Sequence, residues 1–306
     1  MWSGDSIVTS RLLRNDLNGK YVLISGCDSG FGYLLAKTLP QYGLKVFAGC
    51  LTQAGVDKLT KEIEPEHVTA FLLDITDSDS VNKARELVEK KCEDSGLWGL
   101  VNNAGIGTNT YLDEWTTVAD YEKVLAVNFT GHVRMTHEFR DLILKAGGRV
   151  VITSSVYGLI SHAGIGPYTV SKFAIRAYAD AIRAEMWRLG VSVSTVFPGY
   201  HRTPILDQER LIRDLFQRWH SLPDKTKERY PYSTLQKMAA SMRNIPDSIF
   251  MGGIGNPMGV VRAYSHALTA RFPRPYYYVG WDAYALWRPL QLVPEQIRTY
   301  LFAQVI

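Results

Sequence analysis

The chain has 306 residues, 46% of them hydrophobic, and a formal net charge of +4. That apolar share supplies a sizeable core and excludes a disordered chain, and the length suits one large α/β domain or two small ones. Without a long block of basic residues no nucleic-acid partner is expected, and three scattered cysteines, Cys27, Cys50 and Cys92, fit reduced thiols better than a disulfide framework.

In chain order, Met1 to Asn18 holds no apolar run of signal-peptide length, so neither secretion nor an N-terminal membrane span is expected. Strand-like apolar runs follow at 21–25, 45–48, 68–73, 99–102, 149–153 and 191–197. Between them lie helical patterns near 31–41, 55–62, 78–93, 119–145 and 168–189, each long enough for a right-handed crossover. That rhythm predicts a doubly wound, Rossmann-type α/β fold with a mostly parallel sheet, and ligands outside the carboxyl ends of the strands. The stretch 150–171 lacks Asp, Glu, Lys and Arg, but its serines, glycines and Pro167 make it a buried strand and loop rather than a membrane span. No metal-ligand spacing occurs among the histidines.

Beyond 198 the chain turns rich in charge and proline, with helical stretches near 205–222 and 231–244, which predicts a substrate lid over about 200–255. A helix near 257–270 and a last strand at 276–279 complete a single domain over 19–280. Residues 281–306 form an apolar tail, with Trp281, Tyr284, Trp287, Tyr300 and Phe302, suited to covering a pocket or lying on a membrane surface.

Gly26-Cys27-Asp28-Ser29-Gly30-Phe31-Gly32 joins the first strand to the first helix. Backbone that approaches a pyrophosphate needs residues without Cβ, and a helix N-terminus offers free N–H groups to the anion. Alone, the motif also reads as an ordinary strand-to-helix turn. Tyr168 and Lys172 are four apart and share one helix face; Ser155 lies thirteen residues before Tyr168 and Asn128 twenty-seven before that. A Tyr-x-x-x-Lys pair arises about once by chance in such a chain. Tyr33 with Lys37 is a second match, read as packing or surface. A lysine about 4 Å from a phenol at an effective dielectric near 20 is worth roughly 4 kcal/mol, which would lower Tyr168 by about three pKa units before desolvation. Tyr168 then serves as general base for alcohol oxidation, with Ser155, rather than its neighbour Ser154, hydrogen-bonding the substrate oxygen.

With Asn102-Asn103-Ala104-Gly105 and Pro198-Gly199, these pieces resemble the short-chain dehydrogenase/reductase family over roughly residues 19–280. The wording of the glycine turn and of Tyr278 to Ala283 is similar to its retinol and hydroxysteroid dehydrogenase branch. The resemblance implies Asn128, Ser155, Tyr168 and Lys172 as the catalytic set, Asn128 distorting its helix and holding a water against the lysine. It implies cofactor contacts from Gly26, Asp28, Ser29, Gly30, Phe31, Gly32, Cys50, Asp74, Ile75, Asn102, Ala104, Tyr168, Lys172, Pro198, Gly199 and Thr203. Asp74 also reads as a helix-cap carboxylate, and Asn128 as a satisfied core amide. His201 departs from the apolar residue common in the family, and either touches the nicotinamide carboxamide or faces water. Tyr157 reads equally as pocket lining or core.

No cation at Ser29 or at Cys50-Leu51-Thr52 awaits a 2′-phosphate, and Asp28 opposes one, so NAD is expected over NADP; the acid that usually grips the 2′-hydroxyl is absent as well. The expected substrate is a hydrophobic alcohol or ketone of the steroid or retinoid kind. A small polar hydroxy acid such as 3-hydroxybutyrate is the alternative, needing a cation such as Arg202 or Arg210; a catalytically silent dinucleotide-binding protein is another. The resemblance also implies a homo-oligomer associating through the helices of Asn128 and Tyr168. The expected location is intracellular, cytoplasmic or peripheral on a membrane such as the endoplasmic reticulum.

Overall fold

Runs of β-branched and aromatic residues buried on both faces form the interior strands of one parallel sheet. The computed structural model describes residues 14–92, 94–107, 111–161, 163–201, 203, 207–244 and 255–303, so the expectations for residues 1–13 and for Arg202 fall outside the described residues. The strands are β1 (Tyr21–Ser25), β2 (Lys45–Cys50), β3 (Val68–Leu72), β4 (Gly99–Asn102), β5 (Arg149–Thr153), β6 (Ser192–Pro198) and β7 (Tyr276–Val279). They pair in parallel throughout, in the order β3-β2-β1-β4-β5-β6-β7. The order reverses between β1 and β4, which opens a crevice at their carboxyl ends.

Helices cover both faces. On one side α1 (Gly30–Thr38) and α2 (Gln53–Glu62) pack with α11 (Met258–Thr269) through Leu35, Leu59, Tyr264 and Leu268. On the other, α3 (Ser78–Cys92), α5 (His132–Glu138), α6 (Arg140–Ala146) and α7 (Gly166–Trp187) bury Val88, Met135, Ile143 and Ile175. The decoy pair is a surface feature: Tyr33 and Lys37 both donate to Glu62 of α2.

The sequence predicts one helix over 119–145, whereas the chain forms α4 (Val118–Leu125), a π-helical turn at Ala126–Gly131, then α5 and α6. The wide turn coincides with Asn128, whose side chain bonds outside its own helix. Phe139, at φ −96° and ψ 3°, separates α5 from α6.

Three helices, α8 (Gln208–His220), α9 (Asp224–Arg229) and α10 (Tyr232–Asn244), form a smaller apolar cluster in which Leu215, Leu235 and Met238 pack on Leu112 and Trp115. Of these, α9 is an addition to the predicted elements, started by Pro223. Arg218 pairs with Asp120 at 2.9 Å and Arg229 with Glu114 at 2.6 Å, so the cluster is fastened to the 111–120 segment. A last helix, α12 (Glu295–Ala303), lies in the tail. Among the described residues no helix is long and apolar enough to cross a membrane, and no group of three or more His, Cys, Asp or Glu is placed to hold a metal ion.

Leu23, at the centre of β1, is wholly buried. Leu23→Ala is expected to lower the unfolding free energy by about 2–5 kcal/mol in urea titrations, through lost transfer energy and the cavity left behind.

Candidate active site

A cavity of about 730 Å³ lies over the carboxyl ends of the central strands. Asp28, Leu51 and Asp74 line one arm, Ser155, Tyr168 and Lys172 the middle, and Leu211, Met238, Met242, Trp287 and Phe302 the other arm.

The first arm is built by close backbone approach. Gly26 has φ +74°, and a Cβ there would lie 2.7 Å from the Ala104 Cα, so only glycine lets the turn after β1 touch the loop after β4. Ser25 Oγ accepts from the N–H groups of Asn103 and Ala104, both at 3.1 Å, and Asn103 Nδ2 donates to the carbonyls of Ser25 and Gly26. The N-terminus of α1 therefore faces the cavity at a fixed height, with Ser29, Gly30 and Phe31 in its lining. Residues without Cβ, free N–H groups and an adjoining cleft fit a dinucleotide pyrophosphate.

Asp28 leaves this turn and reaches the end of β2. Its carboxylate accepts from Leu51 N at 2.8 Å, Thr52 N at 2.9 Å and Thr52 Oγ1 at 2.7 Å. The acidic group that the sequence lacks after β2 is thus delivered there from the glycine turn. Asp74 Oδ1 accepts from the N–H and hydroxyl of Thr76, closing a local turn, while the residue lines the cavity beside Ile75.

Three expected cofactor contacts stand behind the cavity wall. Cys50 is fully buried in the core, and burial pushes its thiol up to about 12. Asn102 turns away to donate to Thr136 Oγ1 at 2.9 Å, leaving its neighbour Asn103 in the lining. Gly32 packs against the Gly26 carbonyl. Cys50 and Asn102 sit where strand periodicity turns the side chain from the cleft, and Gly32 lies against backbone. Pro198, Gly199, Thr203 and Ala104 do line it.

At the middle, Tyr168 is buried, and burial raises its phenol above the ordinary value while a hydrogen bond with Ser155 works the other way. Lys172 Nζ donates to the Thr153 carbonyl at 3.1 Å and lies 5.5 Å from the Tyr168 ring centroid. Burial brings the lysine down to about 8. In the protein alone, burial is the largest influence on the phenol and works against the lowering that the Tyr168–Lys172 spacing predicts. Ser154 Oγ donates to the Lys172 carbonyl at 3.0 Å and braces α7, so the two neighbouring serines divide their duties.

Asn128 lies behind Lys172. Its Oδ1 accepts from Ile106 N at 2.9 Å, and Nδ2 donates to Ile106 O at 2.9 Å and Ser171 Oγ at 3.0 Å. Both amide hydrogens are spent on protein, as in a satisfied core amide. His132, four residues on, donates from Nε2 to Ala104 O at 2.7 Å and is driven down to about 3 by burial and by Lys172, so it is neutral.

Tyr200 is a lining residue that the sequence does not single out, while Tyr157 and His201, left open there, line the cavity as well. Tyr157 and Tyr200 share a hydroxyl–hydroxyl hydrogen bond beside Tyr168, with the Tyr157 ring 6.1 Å from that of Tyr168 and 5.6 Å from Trp287. His201 does not face water: it is buried, donates from Nδ1 to Gly199 O at 3.0 Å and meets Phe31 edge-on. Asp282 accepts from Tyr200 N at 2.9 Å, in a notch where a Cβ on Gly199 would come within 2.1 Å of its carboxylate. The Gly280-Trp281-Asp282 wording marks this spot in the sequence, but nothing local joins it to Gly199.

A family profile described as short chain dehydrogenase matches residues 20–213. The chain belongs to the short-chain dehydrogenase/reductase family. It is 38% identical to short-chain dehydrogenase/reductase family 9C member 7 of Mus musculus, over 96% of this chain and 92% of that protein. It is 39% identical to retinol dehydrogenase 5 of Homo sapiens, over 90% of this chain and 86% of that protein, and 36% identical to human 17-beta-hydroxysteroid dehydrogenase type 6, over 96% and 91%. A short-chain dehydrogenase structure from Streptomyces avermitilis superposes with TM-score 0.72 at 22% identity, covering 93% of this chain and 96% of that one. Another, from Burkholderia cenocepacia in complex with NADP, gives 0.68 at 19% identity, covering 94% and 98%. As a short-chain dehydrogenase/reductase, the protein is an oxidoreductase acting on alcohols with a nicotinamide dinucleotide.

The depressed Lys172 has a thermodynamic consequence. The unfolded chain holds this proton up to the ordinary lysine value of 10.5 and the folded one only to about 8, so between them the unfolded state binds more protons and folding stability rises with pH. Urea unfolding is expected to show a stability increment from about pH 8 to 10 in the wild type that is missing from Lys172→Met.

Proposed function

We propose that the protein is an NAD-dependent dehydrogenase of hydrophobic alcohols, steroid or retinoid in kind, with Tyr168 as the proton-transferring group. The observation that carries this reading is the convergence of Ser155, Tyr168 and Lys172 in the lining of one cavity, between its glycine-lined and apolar arms. In this reading residues 19–280 act as one unit, α8 to α10 are a lid over the substrate, and the tail closes the apolar arm with Trp287 and Phe302. Relatives named retinol dehydrogenase and hydroxysteroid dehydrogenase support the substrate class.

The glycine turn, Ser29 to Phe31, Asp74, Ile75 and Ala104 hold the dinucleotide, and Pro198, Gly199 and Thr203 border its nicotinamide end. When bound, the oxidised nicotinamide supplies the hydride acceptor and a positive charge. Ser155 fixes the substrate oxygen. Tyr168 takes the hydroxyl proton in oxidation and returns it in reduction, its acidity set by Lys172 and the added charge against the cost of burial. Asn128 positions Lys172 by tying Ser171 on α7 to the loop at Ile106. Tyr168→Phe is expected to lower turnover by roughly a hundredfold or more while leaving dinucleotide affinity within about twofold, read by steady-state rates and fluorescence titration.

Asp28 supports NAD. A carboxylate at the end of β2 accepts hydrogen bonds from ribose hydroxyls and repels a 2′-phosphate. Asp28→Ser is expected to shift the kcat/KM ratio of NAD to NADP by about tenfold or more toward NADP; an unchanged ratio would remove Asp28 from cofactor selection.

The hydroxy-acid alternative needs a cation facing the substrate. Among the described residues Lys172 is the only Lys or Arg in the lining, and Arg210 is exposed on α8, which favours the apolar substrate. Exposed Val170 and Phe173 on α7 support self-association through that helix, and exposed Trp281, Tyr284 and Tyr300 support contact of the tail with a membrane surface.

A further inference from the structure

We infer that the lid arm of the cavity carries an acceptor for a second hydroxyl, so that the preferred substrate is a long apolar alcohol bearing oxygen at both ends. The inference rests on the reading of Ser155 and Tyr168 for the place of the reacting hydroxyl, and goes beyond it in assigning the remote end.

The lid arm is apolar except at one place. On α8, Gln208 and Leu211 lie three residues apart and share a face, and on α10 Met238, Ser241 and Met242 do the same; all five line the cavity. Each helix therefore sets one polar side chain among apolar ones, Gln208 on α8 and Ser241 on α10.

The Gln208 amide is oriented by the protein. Its Nε2 donates to the Met242 carbonyl at 2.8 Å, near the end of α10. That carbonyl can only accept, so the amide cannot be reversed without losing the bond. The other end of the half-buried group is then an oxygen, and Oε1 has no hydrogen-bond partner among the described residues.

An amide oxygen accepts and does not donate. It matches a hydroxyl at the far end of a substrate, and offers nothing to a ketone, an ester or a bare hydrocarbon end. When a substrate of the last kind fills the arm, Oε1 loses water without gaining a partner, and the mismatch discriminates more sharply than apolar contacts do. Ser241, whose hydroxyl can donate, can satisfy a lone pair of the same group once that group's single proton is given to Oε1. The apolar wall of Leu211, Met238, Met242, Trp287 and Phe302 excludes charge between the two poles but is indifferent to whether the body is a fused-ring or an extended chain.

The test compares a long-chain terminal diol with the mono-alcohol of equal length, and a fused-ring pair differing in the same way, as substrates with NAD. The wild type is expected to show a KM for each diol lower by on the order of fivefold than for its partner, and Gln208→Leu is expected to erase that difference. Equal KM values for diol and mono-alcohol in the wild type would overturn the inference. So would a Gln208→Leu variant that raises both values alike, since that outcome assigns Gln208 only to holding Met242. Equilibrium binding of the same pairs to Tyr168→Phe with NAD present reads recognition without turnover. A diol preference there with no oxidation of any alcohol by the wild type would overturn the proposed chemistry while leaving the second acceptor standing; equal affinities there would overturn the second acceptor.

Discussion

A buried ammonium governs the architecture of this cleft. Lys172 is 3% exposed, and removing a charge from water is costly unless dipoles replace the lost hydration. The Thr153 carbonyl at the end of β5 supplies one, and its cost is still visible in the lowered lysine value. Much of the surrounding structure keeps that position tolerable. Ser154 secures the Lys172 carbonyl, Asn128 secures the neighbouring Ser171, and His132 stays neutral nearby rather than adding a second cation. A lysine placed this way can steady a phenolate and contact a ribose without being drawn off into bulk solvent.

The sheet supplies the rest of the frame. Its change of strand order leaves the crevice, the turn after β1 brings backbone rather than side chains to one arm, and Asp28 carries a negative charge across to β2. The opposite arm is made of elements that do not belong to the sheet, namely α8, α10 and the tail. The glycine-rich backbone and the apolar side chains that line the cavity thus come from different parts of the chain, an arrangement suited to a scaffold whose loops vary independently of its sheet.

Much of this was legible in the sequence because it is written locally. The strands announce themselves as short apolar runs, and Ser155, Tyr168 and Lys172 are tied by fixed spacings within one strand, one turn and one helix. What escaped depends on partners far along the chain. Helical periodicity cannot announce the π-helical turn at Ala126–Gly131, where Asn128 reaches Ile106 and Ser171, although the resemblance implies a distortion at Asn128. Asp28 is expected at the cofactor from the glycine turn alone, but its partners at Leu51 and Thr52 lie more than twenty residues on, at the end of β2. The resemblance implies contacts from Cys50 and Asn102, but their side chains pack behind the wall, Cys50 in the core and Asn102 on Thr136. For Tyr168 spacing gives the neighbour, whereas the size of the desolvation that opposes it depends on everything folded around the phenol.

Asp120 holds two elements with one carboxylate. It closes the capping box of α4 by accepting from Thr117, and it also receives Arg218 of α8 at 2.9 Å. The pair is partly exposed, at 25% and 31%, so counter-ions compete for it. This ionic latch makes the helix that leads into Asn128 a mechanical neighbour of α8, which lines the apolar arm of the cavity. With one carboxylate shared between them, the position of α8 and the first turn of the helix leading to the scaffold behind Lys172 are set together.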